Sequence, residues 1–166
     1  ETSIIPAAQS ANVIAEIRGH AAPEEVVVIG AHLDSWDLGT GAIDDGAGVG
    51  ITMAAMALIQ EAGLSPRRTI RLVLWGAEEV GLLGALAYRD QHATELGDHI
   101  IGSESDFVGG RVWKITADSQ TEAGDQLFAH MADLLAPLGI APGSNKQPGG
   151  GPDLMPLVPT GVPTLR

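Results

Sequence analysis

Two near-continuous apolar runs set the frame of the chain: Val26-Val27-Val28-Ile29-Gly30-Ala31 and Ile70-Arg71-Leu72-Val73-Leu74-Trp75. Runs this short and this uniformly apolar predict strands buried on both faces, as in a parallel sheet covered by helices. The expected strands are 25–31 and 69–75. Weak alternation over 11–18 predicts a strand before them, followed by a turn that holds Pro23. Shorter segments predict strands at 99–103 and 111–116, and Val162-Pro163-Thr164-Leu165 begins another.

Between these runs the pattern turns helical. Residues 46–62, rich in Ala and Met, predict a helix closed by Gly63 and Pro66. Its small-residue start suits close packing on a sheet. A second helix is expected over 82–95. A third is expected over 122–138, with Leu127, Met131, Leu134, Leu135 and Leu138 on one stripe. Residues 35–45 form a Gly-rich loop, and residues 141–153 a Gly- and Pro-rich one. Strand and helix signals alternate without an internal repeat. This predicts an α/β fold, a three-layer αβα sandwich around a mixed, mainly parallel sheet.

Length and composition narrow the picture. A chain of 166 residues suits one domain, and 45% hydrophobic against 18% charged residues is not a disordered composition. Nine Lys+Arg against 21 Asp+Glu give a net charge of −12, which argues against nucleic acid or an anionic membrane as partner. With no cysteine, disulfides and thiolate zinc sites are excluded, so any zinc must be held by His and carboxylates. No stretch approaches the about 18–20 apolar residues of a membrane span. Residues 1–20, with Glu1, Glu16 and Arg18, do not read as a secretory signal.

The acidic residues are not scattered. His32-Leu33-Asp34, Asp44-Asp45-Gly46, Glu78-Glu79 and Ser105-Asp106 each follow or lie near the end of a predicted strand, where open α/β sheets gather ligands and catalytic groups. Taken singly, each has an ordinary reading. Glu78-Glu79 could be a solvated helix start, and Asp44-Asp45-Gly46 a turn. His32 could be structural, and Asp106 an N-cap. The other reading makes His32 a metal ligand held through its second nitrogen by Asp34. Asp44 would then be a metal-bridging carboxylate. Of the two glutamates, one would be a ligand and the other a general base. Recurrence at successive strand ends favours a two-metal hydrolytic site over four coincidences.

On these residues the sequence resembles the zinc exopeptidases of the co-catalytic aminopeptidase family, and within it the carboxypeptidase Q (plasma glutamate carboxypeptidase) branch. The matching text is SANVIAEIRG, VVVIGAHLDSWDLGTGAIDDGAG, RTIRLVLWGAEEVGLLGALAY, ESD and GGGPDLMPL–GVPTL, from about Ser10 to Leu165. The resemblance implies the zinc-exopeptidase, phosphorylase/hydrolase-like fold. It implies that His32 and Asp106 hold one zinc and that Asp44 bridges to a second, which Glu79 also holds. It further implies that Asp34 orients His32, that Glu78 is the general base, and that the Asp44–Asp45 peptide bond is cis. Trp36, Asp37 and Asp153 lie in family-like segments and are candidates to line the substrate. His20, His92, His99 and His130 match no family ligand and are expected at the surface or in helices.

The implied activity is hydrolysis of dipeptides or of terminal residues of short peptides by a zinc-activated water. The expected partner is a short peptide, with a homodimer left open and an extracellular or periplasmic location. The family's second histidine falls beyond the GVPTL strand, and its accessory domain has no counterpart here. The reading is therefore a single catalytic domain over 1–166, C-terminally truncated, with a second zinc site that lacks its His and a correspondingly impaired activity. The alternatives are a non-enzymatic interaction domain of the same fold and a single-zinc glutaminyl cyclase. A calcium-stabilised acidic domain is disfavoured by His32.

Overall fold

The computed structural model describes residues 8–107, 109–119, 121–146 and 150–166. Its elements run β1 (Val13–Ile17), β2 (Ala22–His32), α1 (Gly46–Glu61), β3 (Arg68–Trp75), α2 (Leu83–Gln91), β4 (His99–Glu104), β5 (Lys114–Ile115), β6 (Ala117–Asp118), α3 (Glu122–Leu135), β7 (Ala141–Pro142) and β8 (Thr164–Leu165). Six strands form one sheet in the order β1-β3-β2-β4-β8-β6. The inner pairs β2/β3, β2/β4 and β4/β8 are parallel, and the edge strands β1 and β6 are antiparallel to their neighbours. The sheet is therefore mixed and mainly parallel, as expected. β5 and β7 make a separate two-stranded ladder.

The apolar runs read as strands because each buries both faces. Val26 and Val28 of β2, with Val73 and Trp75 of β3, pack against Ala85 and Tyr88 of α2 and against Leu154 and Leu157. The intervening positions Ile29, Ala31, Ile70, Leu72 and Leu74 pack against Val49 and Met56 of α1. Successive strand side chains point to opposite faces, so α1 and α2 cover opposite sides of the sheet. The chain runs from β2 outward to β3, then crosses back to β4 on the other flank of β2. That reversal puts a switch point at the C-terminal end of β2, where ligands gather in open α/β sheets.

Several local expectations shift. The strand expected over 111–116 pairs only at Lys114–Ile115, and the chain then enters the main sheet at Ala117–Asp118. The helix expected over 82–95 stops at Gln91 and is followed by a 3₁₀ turn, Leu96–Asp98. In α3 the packed stripe is Phe128, Met131, Ala132 and Leu135, whereas Leu134 and Leu138 are exposed. The stripe is rotated because Phe128 and the small Ala132 pack on Ile115 and Ala117, which no periodicity argument within the helix can see. Of the loop expected over 141–153, residues 147–149 lie outside the described residues. The rest contains β7 and a 3₁₀ turn at Pro152–Leu154.

His99, expected at the surface or in a helix, is instead the first residue of β4 and 3% exposed. Its Nδ1 donates to the Glu95 carbonyl at 2.9 Å, so its Nε2 accepts the Tyr88 hydroxyl at 2.8 Å. The Tyr88 oxygen in turn accepts from Arg71 at 2.8 Å. Burial and the Arg71 charge hold the His99 pKa below its usual value, against the opposing Glu95. A depressed folded pKa means that neutral His99 stabilises the fold above the unfolded value of about 6.5, a contribution lost as pH falls through the folded value. The melting-temperature gap between wild type and His99→Gln is therefore expected to narrow from about pH 7.5 to about pH 5. A gap that stays constant in thermal melts across that range would remove His99 as the titrating group.

Candidate metal centre

Three parallel strands deliver their polar residues to one edge. β2 ends at His32, β3 leads through a bend to Glu78 and Glu79, and β4 ends two residues before Asp106. The ladder continues past the strands, with Leu33 N–H donating to the Trp75 carbonyl at 2.8 Å and Ser105 N–H to the Gly30 carbonyl at 2.9 Å. These bonds fix the loops that carry the site to the rigid sheet.

The loop before α1 supplies the remaining carboxylates. The Asp44–Asp45 peptide bond is cis. Asp45 caps α1: its Oδ1 accepts from Gly48 N–H at 3.2 Å and its Oδ2 from His32 N–H at 3.0 Å. The helix start must come close to the β4 loop. A Cβ at Gly48 would lie 2.0 Å from the Ser105 carbonyl, so no larger residue fits there. Burial pushes the Asp45 carboxyl up to about 6, although the His32 amide and its charge pull the other way.

His32 is buried and stands at the centre. Its Nε2 is 2.9 Å from Asp44 Oδ1 and 3.5 Å from Asp106 Oδ1. Its Nδ1 is 3.0 Å from the backbone carbonyl of Asp34. That contact assigns the Nδ1 proton and leaves the Nε2 lone pair facing the carboxylates. The Asp34 carboxylate, expected to hold His32, lies farther away at 3.7 Å. It accepts instead from the backbone N–H groups of Glu78 at 2.8 Å and Glu79 at 3.1 Å. Asp34 thus ties the histidine loop to the glutamate bend, with its main chain on one and its side chain on the other.

Two sets of donors emerge. The ligand atoms of His32, Asp44 and Asp106 all lie within 4.8 Å of one another, and so do those of His32, Glu78 and Glu79. The metal-capable groups among the described residues contain no histidine other than His32. Tetrahedral zinc with bonds of about 2.0–2.2 Å spaces its ligand atoms by roughly 3.4 Å, which suits the first set. Glu79 Oε1 is buried without a hydrogen-bond partner among the described residues. An orphaned carboxylate oxygen is costly in isolation and is satisfied by a cation. Imidazole nitrogen with carboxylate oxygens is a zinc donor set.

The electrostatics point the same way. Burial lowers the His32 pKa, but the Asp44 hydrogen bond and the charges of Glu78, Asp45 and Asp106 outweigh it, so the net shift is upward. Burial, joined by the neighbouring carboxylates, raises Glu78 and Glu79. This concentration of negative charge favours positive charge at its centre.

The candidate substrate residues separate. Trp36 is 66% exposed and lies beside Glu79. Asp37 lies in the exposed turn beside it. Asp153, expected to line the substrate, is fully buried instead. It faces Glu104, whose Oε2 accepts its backbone N–H at 3.0 Å. The chain comes this close because Gly151 adopts φ 107°, where a Cβ would meet Glu104 Oε2 at 2.0 Å. Burial, with the facing carboxylate, drives Glu104 up to about 10, and burial drives Asp153 up to about 7. Glu104 Oε1 and both Asp153 carboxyl oxygens have no donor among the described residues. Two carboxyls facing each other away from water disfavour ionising together. Glu104 was not singled out from sequence. Its only signal was a carboxylate closing a strand whose neighbours are buried.

A sequence model of the family described as Peptidase family M28 matches residues 12–166. Human carboxypeptidase Q is 39% identical over 158 residues, covering 95% of this chain and 33% of its own length. A solved peptidase M28 precursor from Shewanella amazonensis SB2B superposes with a TM-score of 0.87 at 47% identity, over 93% of this chain and 34% of that one. BSAP, a zinc aminopeptidase from Bacillus subtilis, superposes with a TM-score of 0.71 at 23% identity, over 91% of this chain and 38% of that one, a likeness of fold. The chain spans about a third of the length of the curated relatives it matches.

Proposed function

The chain belongs to peptidase family M28, and from that premise we propose that it carries the zinc centre of an exopeptidase acting on dipeptides or on terminal residues of short peptides. The observation that carries this reading is the convergence of His32, Asp44 and Asp106 at one sheet edge. Glu78 and the orphaned oxygen of Glu79 lie beside them.

His32, Asp44 and Asp106 would hold one ion, and Asp44 and Glu79 would contribute to a second. Zinc, when bound, polarises the scissile carbonyl and acidifies the attacking water. Glu78 takes the proton from that water as its oxygen bonds to the carbonyl carbon. It then delivers the proton to the amine nitrogen as the C–N bond breaks. Asp34 keeps Glu78 and Glu79 in register by fixing their amides. Asp45 holds the His32 backbone and the start of α1 together.

The test is metal analysis combined with hydrolysis of a dipeptide and of an aminoacyl-nitroanilide. Zinc uptake with zinc-dependent release of free amino acid or nitroaniline is expected. Absence of zinc uptake at micromolar protein would remove the site assignment. Uptake without hydrolysis of either probe would favour the non-enzymatic reading.

A further inference from the structure

The bend that carries Glu78 and Glu79 is a tight loop with a narrow neck. It leaves β3 at Gly76 and enters α2 at Leu83 and Gly84. Gly84 N–H donates to the Gly76 carbonyl at 2.9 Å, Leu83 N–H to the Ala77 carbonyl at 3.1 Å, and Leu82 N–H to the Glu78 carbonyl at 2.9 Å. Ala77 and Leu82, neither of them glycine, take left-handed φ values of 59° and 58°. Such conformations persist only where the surrounding contacts enforce them.

Two side chains hold the backbone of this bend from outside among the described residues. Asp34 takes the amides of Glu78 and Glu79 at the tip. Asn12 spans the neck. It directly precedes β1, whose antiparallel ladder with β3 fixes it beside the bend. Its Oδ1 accepts from Gly76 N–H at 3.0 Å, and its Nδ2 donates to the Gly84 carbonyl at 2.9 Å. A backbone N–H can only donate and a carbonyl can only accept, so the orientation of this side chain is settled and both ends of its amide are used. The neck is shaped around it. A Cβ at Gly84 would lie 2.3 Å from Asn12 Oδ1 and 2.5 Å from the Gly76 carbonyl oxygen. Packing gives the neck little support from behind, where a cavity of about 360 Å³ opens against Asn12, Gly76, Ala77, Leu83 and Gly84.

We propose that Asn12 is a positioning residue for the hydrolysis: by closing the neck of the bend, its amide sets where the Glu78 carboxylate stands against His32, Asp44 and Asp106. This inference rests on the exopeptidase reading above. Asn12 bonds to the neck rather than to the metal-capable groups, so it acts through the bend. A single residue, the left-handed Ala77, separates Gly76 from Glu78. With the Gly76 amide released, Ala77 can relax toward ordinary backbone, and the Glu78 carboxylate swings with it. A misplacement of about 1 Å can cost a reaction roughly 100-fold. Asp34 fixes the amides at the tip but leaves the neck free to open, so one geometry needs both anchors.

Steady-state kinetics of the zinc-loaded protein on Ala-Leu test this. Wild type, Asn12→Ala, Glu78→Gln and the double variant are compared well below their melting temperatures. Asn12→Ala is expected to lose about 10- to 100-fold in kcat, with KM within about twofold of wild type. In the Glu78→Gln background, where no base is left to misplace, the same change is expected to cost less than about threefold. A role in folding alone would lower the active fraction equally in both backgrounds, so equal losses would overturn the proposal. So would a kcat of Asn12→Ala within about twofold of wild type. If Asn12→Ala shows no cooperative thermal melt, Asn12→Asp takes its place in both comparisons. It keeps an acceptor for the Gly76 N–H and loses only the donor to Gly84, and the same outcomes decide. A wild type that hydrolyses neither Ala-Leu nor an aminoacyl-nitroanilide would remove the exopeptidase reading and this inference with it. With an active wild type, either overturning result removes this inference alone.

Discussion

Replacing Glu78 by Gln is expected to lower kcat by about 10²–10⁴-fold while zinc binding stays at the wild-type level. Glu78 lies in the same small cluster as His32 and Glu79, so its carboxylate is within reach of a water at the centre. The substitution keeps the size of the side chain. It also keeps the backbone N–H that Asp34 holds, so the bend carrying Glu79 is preserved. What disappears is the ability to take a proton from water and return it to the leaving amine. Turnover of a dipeptide, measured beside zinc content by metal analysis, separates the outcomes. Loss of zinc together with turnover would make Glu78 a ligand, as its place in the His32 and Glu79 set allows. Retention of kcat within about twofold would remove it as the base.

His32→Ala is expected to cost the most in metal affinity, at least about 100-fold, since even partners of a metal-bound histidine contribute 10- to 100-fold. His32 is the one imidazole in the metal-capable groups among the described residues, so its loss takes away the nitrogen donor that Asp44 and Asp106 face. It also leaves Asp44 and Asp106 facing each other without the imidazole between them. Asp106→Asn, by comparison, keeps the imidazole and an oxygen donor in place and should weaken zinc less. Competition against a chromophoric chelator reads both affinities. If His32→Ala binds zinc as tightly as wild type, the centre is not where these residues converge.

Much of the fold was legible because burial on both faces writes itself into composition. The central parts of β2 and β3, 26–31 and 72–75, had to be apolar on both faces, and the positions of these two strands follow from that. His32, Asp44, Glu78, Glu79 and Asp106 stood out in the chain as donor residues at or beyond strand ends, and the fold brings them into two neighbouring groups. The edges were less legible. Lys114–Ile115 and Ala117–Asp118 are two-residue strands, and segments that short carry no period. The packed stripe of α3 is set by which residues of β5 and β6 lie beneath it. The partners of buried polar groups were also hidden. His99 is neutral and buried because Tyr88 and Glu95, from other elements, take both of its nitrogens.

The sequence by itself determined the two central strands and the donor types, because these depend on residue identity and local pattern. The tertiary structure decided which of the donors meet. His32 reaches Asp106 because β4 pairs with β2, a choice of strand order that local pattern does not encode. Asp34 turned out to hold the glutamate bend more closely than the histidine, and Asp153 to lie beneath the site against Glu104. The physical reason is range. Hydrophobic periodicity reports burial within one element, whereas the partner of a buried carboxylate is set by contacts across tens of residues, which only the packed sheet and its crossovers bring together.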